Sequence, residues 1–397
     1  MEENISLQLS KLINYFKIDE DSISYNSNLQ HIEIRNSTIN QFEFKLFNTY
    51  KLSFVDCIFD CEIRDTTGSL RIKNKIFIHN CVFKKNLILF NVQFENITYI
   101  AHCRFESNCH FDANTFYDFS NFERNIYNYV TFEKSIFLKN VTFYNSKFNS
   151  LNFSQVIFND NSDFVNLKVN FDFKKLKNII NSQLDFKNSS HIIKVDCLEF
   201  ANDFRDSFRI LKNILIKDNN LLDASKFHKY ELYCKEIELE NKKDKTLKDK
   251  IDKWQLSFYR KLCDHHTDLL LNLKWLVVLI GSFALLYFTS RVIQDINLLK
   301  VLNQYGVCLS IAGVFILFCL YWFGCIKKFD FFVYFNLIAV LWVICYKPKI
   351  IFGIVNLIDS NSYNGFENAL ITIYTILLAL VLFSLQKTAR KNSIVPS

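Results

Sequence analysis

Residues 141–164 read VTFYNSKFNSLNFSQVIFNDNSDF, with phenylalanine at 143, 148, 153, 158 and 164. A helix returns to the same face every 3.6 residues and a strand every two, so a beat of five or six belongs to neither. The beat continues upstream. Phe83, Phe94, Phe105 and Phe116 are eleven apart, and Phe111, Phe122, Phe132, Phe143, Phe153 and Phe164 follow at ten or eleven. Two places before such a Phe stands Cys57, Cys81, Val92, Cys103, Cys109, Ser120, Val130, Ser135, Val141, Ser146, Val156 or Ser162. In extended chain residues i and i−2 point to one side, so a small and a large residue share the inward face. Polar residues fill the outward positions. Very short strands separated by corners, stacked coil on coil around phenylalanine, meet this pattern.

The runs CVFKK (81–85), CRFES (103–107), VTFYN (141–145), SKFNS (146–150) and VIFND (156–160) resemble the repeat of the pentapeptide-repeat proteins. That repeat has a central Leu or Phe, a small residue two places earlier and a polar residue between. The resemblance covers residues 40–173, with the six-residue intervals of the Phe-rich branch. It weakens at 60–76, where Gly68 predicts a loop. It implies a right-handed quadrilateral β-helix, placed here over residues 30–199.

Residues 1–29 and 200–266 read as the ends of that rod. Ile5, Leu9, Leu12, Ile13 and Phe16 form an apolar helical stripe fit to cap the start. Phe200, Phe204, Phe208, Leu211 and Leu215, then Phe227, Tyr230, Cys234 and Ile237, predict a helical hairpin turning at Asn219 and Asn220. A solenoid end needs such a cover, because open strand edges invite association. The Lys-rich stretch 242–253, with Trp254, Phe258, Tyr259 and Leu262, predicts a helix at a membrane surface.

The remainder, 267–397, is apolar enough to cross a bilayer, which takes about 20 residues per helix. Four spans are expected at about 269–290, 301–326, 329–346 and 367–386, with Lys274 snorkelling from the first. No ionisable residue lies away from their ends. Ile350–Ile358 is too short to span and reads as interfacial or re-entrant. Lys327, Lys328, Lys387, Arg390 and Lys391 favour both termini inside. The expected location is a bacterial-type inner membrane, with no secretory leader because MEENISLQLS lacks an apolar core. Twelve cysteines without a pairing pattern suit free thiols in a reducing compartment.

Charge narrows the function. Of the net +7, residues 271–397 carry ten Lys/Arg against four Asp/Glu, and the rest 37 against 36. A nearly neutral solenoid offers neither a basic footprint for nucleic acid nor the strong acidity that imitating duplex DNA requires. Glycine occurs only seven times, and no phosphate loop, nucleophile elbow or zinc-protease motif is present, so no enzyme is expected. His102-Cys103 and Cys109-His110 invite a metal, but the register puts the thiols inside and the imidazoles outside. His265-His266, as helical neighbours, would not share a face. No catalytic, cofactor or metal residue is therefore assigned. The expectation is a membrane-anchored scaffold or protein-binding surface, with the lipid bilayer and an unknown protein as partners and a homo-oligomer open. The alternative is a small ion channel or transporter regulated by the solenoid.

Overall fold

The structure, a computed structural model, describes residues 2–27, 30–189, 197–296, 303–346, 348–352 and 364–390. It divides into two compact units, one up to Lys253 and one from Trp254.

The first unit is a parallel β-solenoid of about six turns, over residues 32–169. Its coils follow from the ladders. Thr98 pairs with Ser120, Ser120 with Val141 and Val141 with Ser162, while Gln93, Thr115, Ile136 and Ile157 form another such series. From Gln93 onward each coil thus takes 21 or 22 residues to return to its starting position, whereas the step from Ile32 to Leu52 takes 20 and that from Ser53 to Phe77 takes 24. A first face holds Thr98–Ala101, a second begins at Arg104, a third at Cys109 and a fourth holds Thr115–Phe116. The strand Arg104–Asp112 turns the corner between second and third faces without a break. The next coil is shorter by one residue there, and the register shifts between Phe105 and Asn108. Five- and six-residue intervals are therefore flat sides without and with one extra corner residue, respectively.

The inward residues stack in columns. Phe59, Phe83, Phe105, Tyr127 and Phe148 follow one another at 4.5, 4.7, 4.8 and 5.2 Å, with rings within 9° of parallel. Phe94, Phe116, Phe137 and Phe158 repeat this at 4.6, 4.6 and 5.3 Å. The spacing is close to that of paired strands, so backbone hydrogen bonds set the ring separation. Each buried ring contributes about 2–3 kcal/mol.

Corners explain how so few glycines suffice. Asp56, Asn80, His102, Arg124 and Asn145 lie at one corner of successive coils, and Asn91, Ala113, Lys134 and Gln155 at the opposite one, all with φ between 53° and 60°. Left-handed backbone costs a non-glycine residue about 1–2 kcal/mol, with Asn the best tolerated. Repetition offsets this, because every one of these strained N–H groups but that of Gln155 meets a carbonyl of the next coil, and Gln155 donates to Asp206 Oδ2. His102 donates to Glu123, Arg124 to Tyr144, and Ala113 to Glu133.

The residue after most of these corners is a small residue read from sequence, but after Ala113 and Arg124 it is Asn114 and Asn125, whose role is more than fitting. Cys103 donates its N–H to Asn125 Oδ1 at 2.7 Å, and Val92 to Asn114 Oδ1 at 2.7 Å. Asn125 and Asn114 in turn donate to the Ser146 and Ser135 hydroxyls at 3.1 and 3.0 Å. Both asparagines are fully buried. At these positions a buried side chain supplies the acceptor that a straight ladder would take from backbone.

Both ends are covered. Helix α1 (Glu2–Phe16) buries Leu12 and Phe16, the latter against Phe42 and Phe54. The strand Ile23–Asn26 closes the first ladder in antiparallel register. A short helix α2 (Leu46–Thr49) places Phe47 in the core. The C-terminal end differs from expectation. The last strand is Lys168–Val169, and Phe173–Ser189 is a helix (α3), so the β-helix stops well before residue 199. Phe171 and Phe173 look like two more beats, yet Leu176 and Ile180 are buried at helical spacing. The predicted hairpin follows as α4 (Cys197–Lys217) and α5 (Leu221–Asn241), capped by the Asn220 side chain. Helix α4 closes the edge after Leu151–Asn152. Phe153 N–H donates to Ser207 Oγ at 2.8 Å and Gln155 N–H to Asp206 Oδ2 at 2.9 Å.

Helix α6 (Leu247–Cys263) runs from the first unit into the second. Four helices of the second unit are long and apolar enough to cross a membrane: α7 (Leu269–Gln294), α8 (Gln304–Trp322), α9 (Lys328–Tyr346) and α10 (Gly365–Ala389). The second starts later and ends earlier than expected, and the fourth is longer at both ends. Gly281 permits close approach of α7 and α9, since a Cβ there would lie 2.6 Å from the Asn336 carbonyl oxygen. Pro348–Ile351 forms a 3-10 turn, and most of the 350–358 stretch lies outside the described residues.

Candidate functional site

The outward residues of the first face differ along the rod. One outward row runs Glu33, Ser53, Phe77, Tyr99, Asn121, Thr142, Asp163. Phe77 and Tyr99 stack at 4.7 Å and 5°, His31 lies 6.5 Å from Phe77, and the Lys75 ammonium sits 5.9 Å from the Phe77 ring. Beside them the His79 and His102 rings are 4.7 Å apart, and the Tyr99 hydroxyl lies 3.4 Å from His79 Nδ1. Phe77, His79, Tyr99 and His102 are all half-buried. Partial desolvation, then His79 and Arg124, hold the His102 imidazole below its ordinary pKa, so it is neutral at pH 7. The result is an aromatic, weakly charged patch on a face that turns polar at the next coil, with Asn121. Such a composition suits protein contact, where rigid rings add area at little entropic cost.

The residues weighed from sequence separate as the register requires. Cys103 and Cys109 are buried inside, whereas His102 and His110 are partly exposed, and His110 Nδ1 faces Asp112 Oδ2 at 3.3 Å. Among the described residues no group of three or more His, Cys, Asp or Glu converges as metal ligands. His265 and His266 are not on a helix. Asp264, His265 and His266 all have positive φ and form the turn after α6. His266 Nδ1 lies 3.5 Å from Cys263 Sγ and 3.3 Å from Ser384 Oγ, which also accepts from Asn272 Nδ2 at 3.0 Å. Burial pushes the Cys263 thiol up, so it is a poor nucleophile and serves in a hydrogen-bond cluster.

Further polar contacts link the apolar helices. Lys274 pairs with Asp330, in the first turn of α9, at 2.5 Å. Glu367, fully buried near the start of α10, accepts from Arg291 Nε at 3.1 Å and Gln294 Nε2 at 3.0 Å. Between the Glu367 and Ser384 clusters Phe283, Ile371, Tyr374 and Leu378 form an apolar layer, with the Phe283 and Tyr374 rings 3.8 Å apart. The arrangement pins helices together, and beside this layer the buried Asn336 accepts from Ser282 Oγ at 3.1 Å and ties α9 to α7. Comparison with known proteins adds no relative: no family model, curated protein or solved structure matches this chain.

Proposed function

We propose that this chain is a membrane-anchored protein of the pentapeptide-repeat type, Phe-rich branch, whose solenoid is a protein-binding scaffold. The stacked Phe77–Tyr99 patch beside His79 and His102 supports this reading most directly. A rod selected only for solubility would continue the Asn121–Thr142–Asp163 pattern there. Proximity labelling from the solenoid tests it. Replacing Phe77 and Tyr99 together by Ser leaves the inward columns intact and removes two aromatic anchors, each worth about 2 kcal/mol. The labelled partner set is expected to fall by about tenfold or more. An unchanged set, or no reproducible set with the wild type, rejects the proposal.

The reading places the protein in a bacterial-type inner membrane with both termini cytoplasmic, on the strength of Lys327 and Lys328 between the second and third spans. Cys325 is exposed in that connection. A membrane-impermeant maleimide should modify its peptide in inverted vesicles and not in right-side-out ones; the reverse pattern inverts the topology. The apolar layer around Phe283 and Tyr374 favours an anchor over a channel or transporter. Ion flux above that of empty liposomes would overturn that choice.

A further inference from the structure

The helix α6 presents an apolar stripe whose first three residues are left uncovered among the described residues, while the fourth, Phe258, packs partly against Leu262, Cys263 and Val381. Leu247, Ile251, Trp254 and Phe258 recur at intervals of four, three and four, which places them on one line of an α-helix. The first three are 75%, 54% and 68% exposed, and Trp254 stacks on Phe258 at 5.5 Å. Helical geometry puts Lys250 and Lys261 along one border of the stripe and Lys248 along the other. Asp249 and Asp252 lie on the far side, and Asp249 is held by Lys242 at 2.8 Å and by the Thr246 hydroxyl at 2.8 Å. Tyr259 and Leu262 do not join the stripe as the sequence suggested. Tyr259 packs by His266, and Leu262 is buried.

Position commits the stripe to one occupant. The helix ends at Cys263 and the first span starts at Leu269. Extended chain reaches at most about 3.6 Å per residue, so the end of α6 lies within about 20 Å of the start of that span. Exposed leucine, isoleucine and tryptophan flanked by lysines, tethered this close to a bilayer, match an in-plane amphipathic helix. We propose that α6 lies in the bilayer surface, with Leu247, Ile251 and Trp254 below the headgroups, Phe258 backing Trp254, and Lys248, Lys250 and Lys261 holding anionic phospholipid phosphates. This rests on α7 crossing the membrane and not on the scaffold reading.

The full chain in liposomes tests it. Vesicles of phosphatidylcholine alone, or with phosphatidylglycerol, carry acyl chains brominated at shallow or deep positions. The signal that Trp254→Phe removes from the total fluorescence isolates Trp254 from the other three tryptophans. Trp254 should be quenched by shallow bromines more than by deep ones, and more strongly when phosphatidylglycerol is present. Each lysine near an anionic surface is worth about fivefold in partitioning. Converting Lys248, Lys250 and Lys261 to Gln should therefore raise the phosphatidylglycerol needed for half-maximal quenching by about twofold or more. An unquenched Trp254 overturns the in-plane placement. Quenching indifferent to phosphatidylglycerol and to the lysines overturns the headgroup contact. Shielding of Trp254 that appears only at high protein-to-lipid ratio would assign the stripe to a second copy and overturn both.

Discussion

Full-length protein carrying Phe105→Asp will be cut within the solenoid at protease concentrations that leave the wild type intact. Phe105 is 2% exposed and sits between Phe83 and Tyr127 at 4.7 and 4.8 Å. Removing such a ring costs about 3–5 kcal/mol in transfer and cavity terms. The carboxylate then adds several more, because no cation can reach it inside a column of aromatic rings. A whole domain is stable by about 5–15 kcal/mol, so the sum consumes most or all of the margin. Damage also spreads, because each coil is held only by its neighbours. Phe105→Leu separates charge from shape and should cost about 1–2 kcal/mol, leaving resistance nearly normal. If Phe105→Asp resists proteolysis like the wild type, the inward assignment of the column is wrong. Protease resistance is the suitable readout because a two-unit membrane protein does not unfold as one two-state system.

The columns were legible because their period is set by geometry. Four sides of five or six residues return to the same side after 21 or 22, and Phe143 to Phe164 states that interval directly. Corners were not legible. Left-handed positions hold Asn, Asp, His, Arg, Lys, Gln and Ala, so no residue type marks them, and the next coil's carbonyl compensates the strain. Helix α3 was missed for a related reason, since Phe171 and Phe173 continue the phenylalanine rhythm into a segment whose burial has helical spacing. In the membrane unit a count of charge-free residues found four helices but left Glu367 as a mere end residue of the last. Its burial depends on Arg291, a partner 76 residues earlier that only packing brings near. The aromatic patch had no signature in the linear pattern. Phe77 and Tyr99 are outward residues one coil apart, and they meet only because the ladder pairs them.

The two buried asparagines carry the second large effect. Replacing Asn125 by Ala is expected to destabilise the solenoid by about 3–5 kcal/mol, because several polar groups lose a partner at once and each costs about 1–3 kcal/mol. The Cys103 N–H loses its acceptor at 2.7 Å, and the Ile100 carbonyl and Tyr127 hydroxyl lose donors at 2.7 and 2.9 Å. None of them can turn to water, since Cys103, Ile100 and Tyr127 are buried. Volume alone predicts a different order of variants from hydrogen bonding. Leu has the same branched side-chain skeleton as Asn, with greater bulk, but offers the Cys103 N–H nothing. Ser is smaller, yet Ser135 and Ser146 at equivalent corners already accept an N–H, from Asn114 and Asn125. Asn125→Ser should therefore cost only about 1–2 kcal/mol, and Asn125→Leu as much as Ala or more. Protease resistance of the three variants over a urea series gives the ranking. Should Leu prove better tolerated than Ser, the corner residue would be chosen for filling space, and the side-chain ladder would be a consequence of packing instead of its cause.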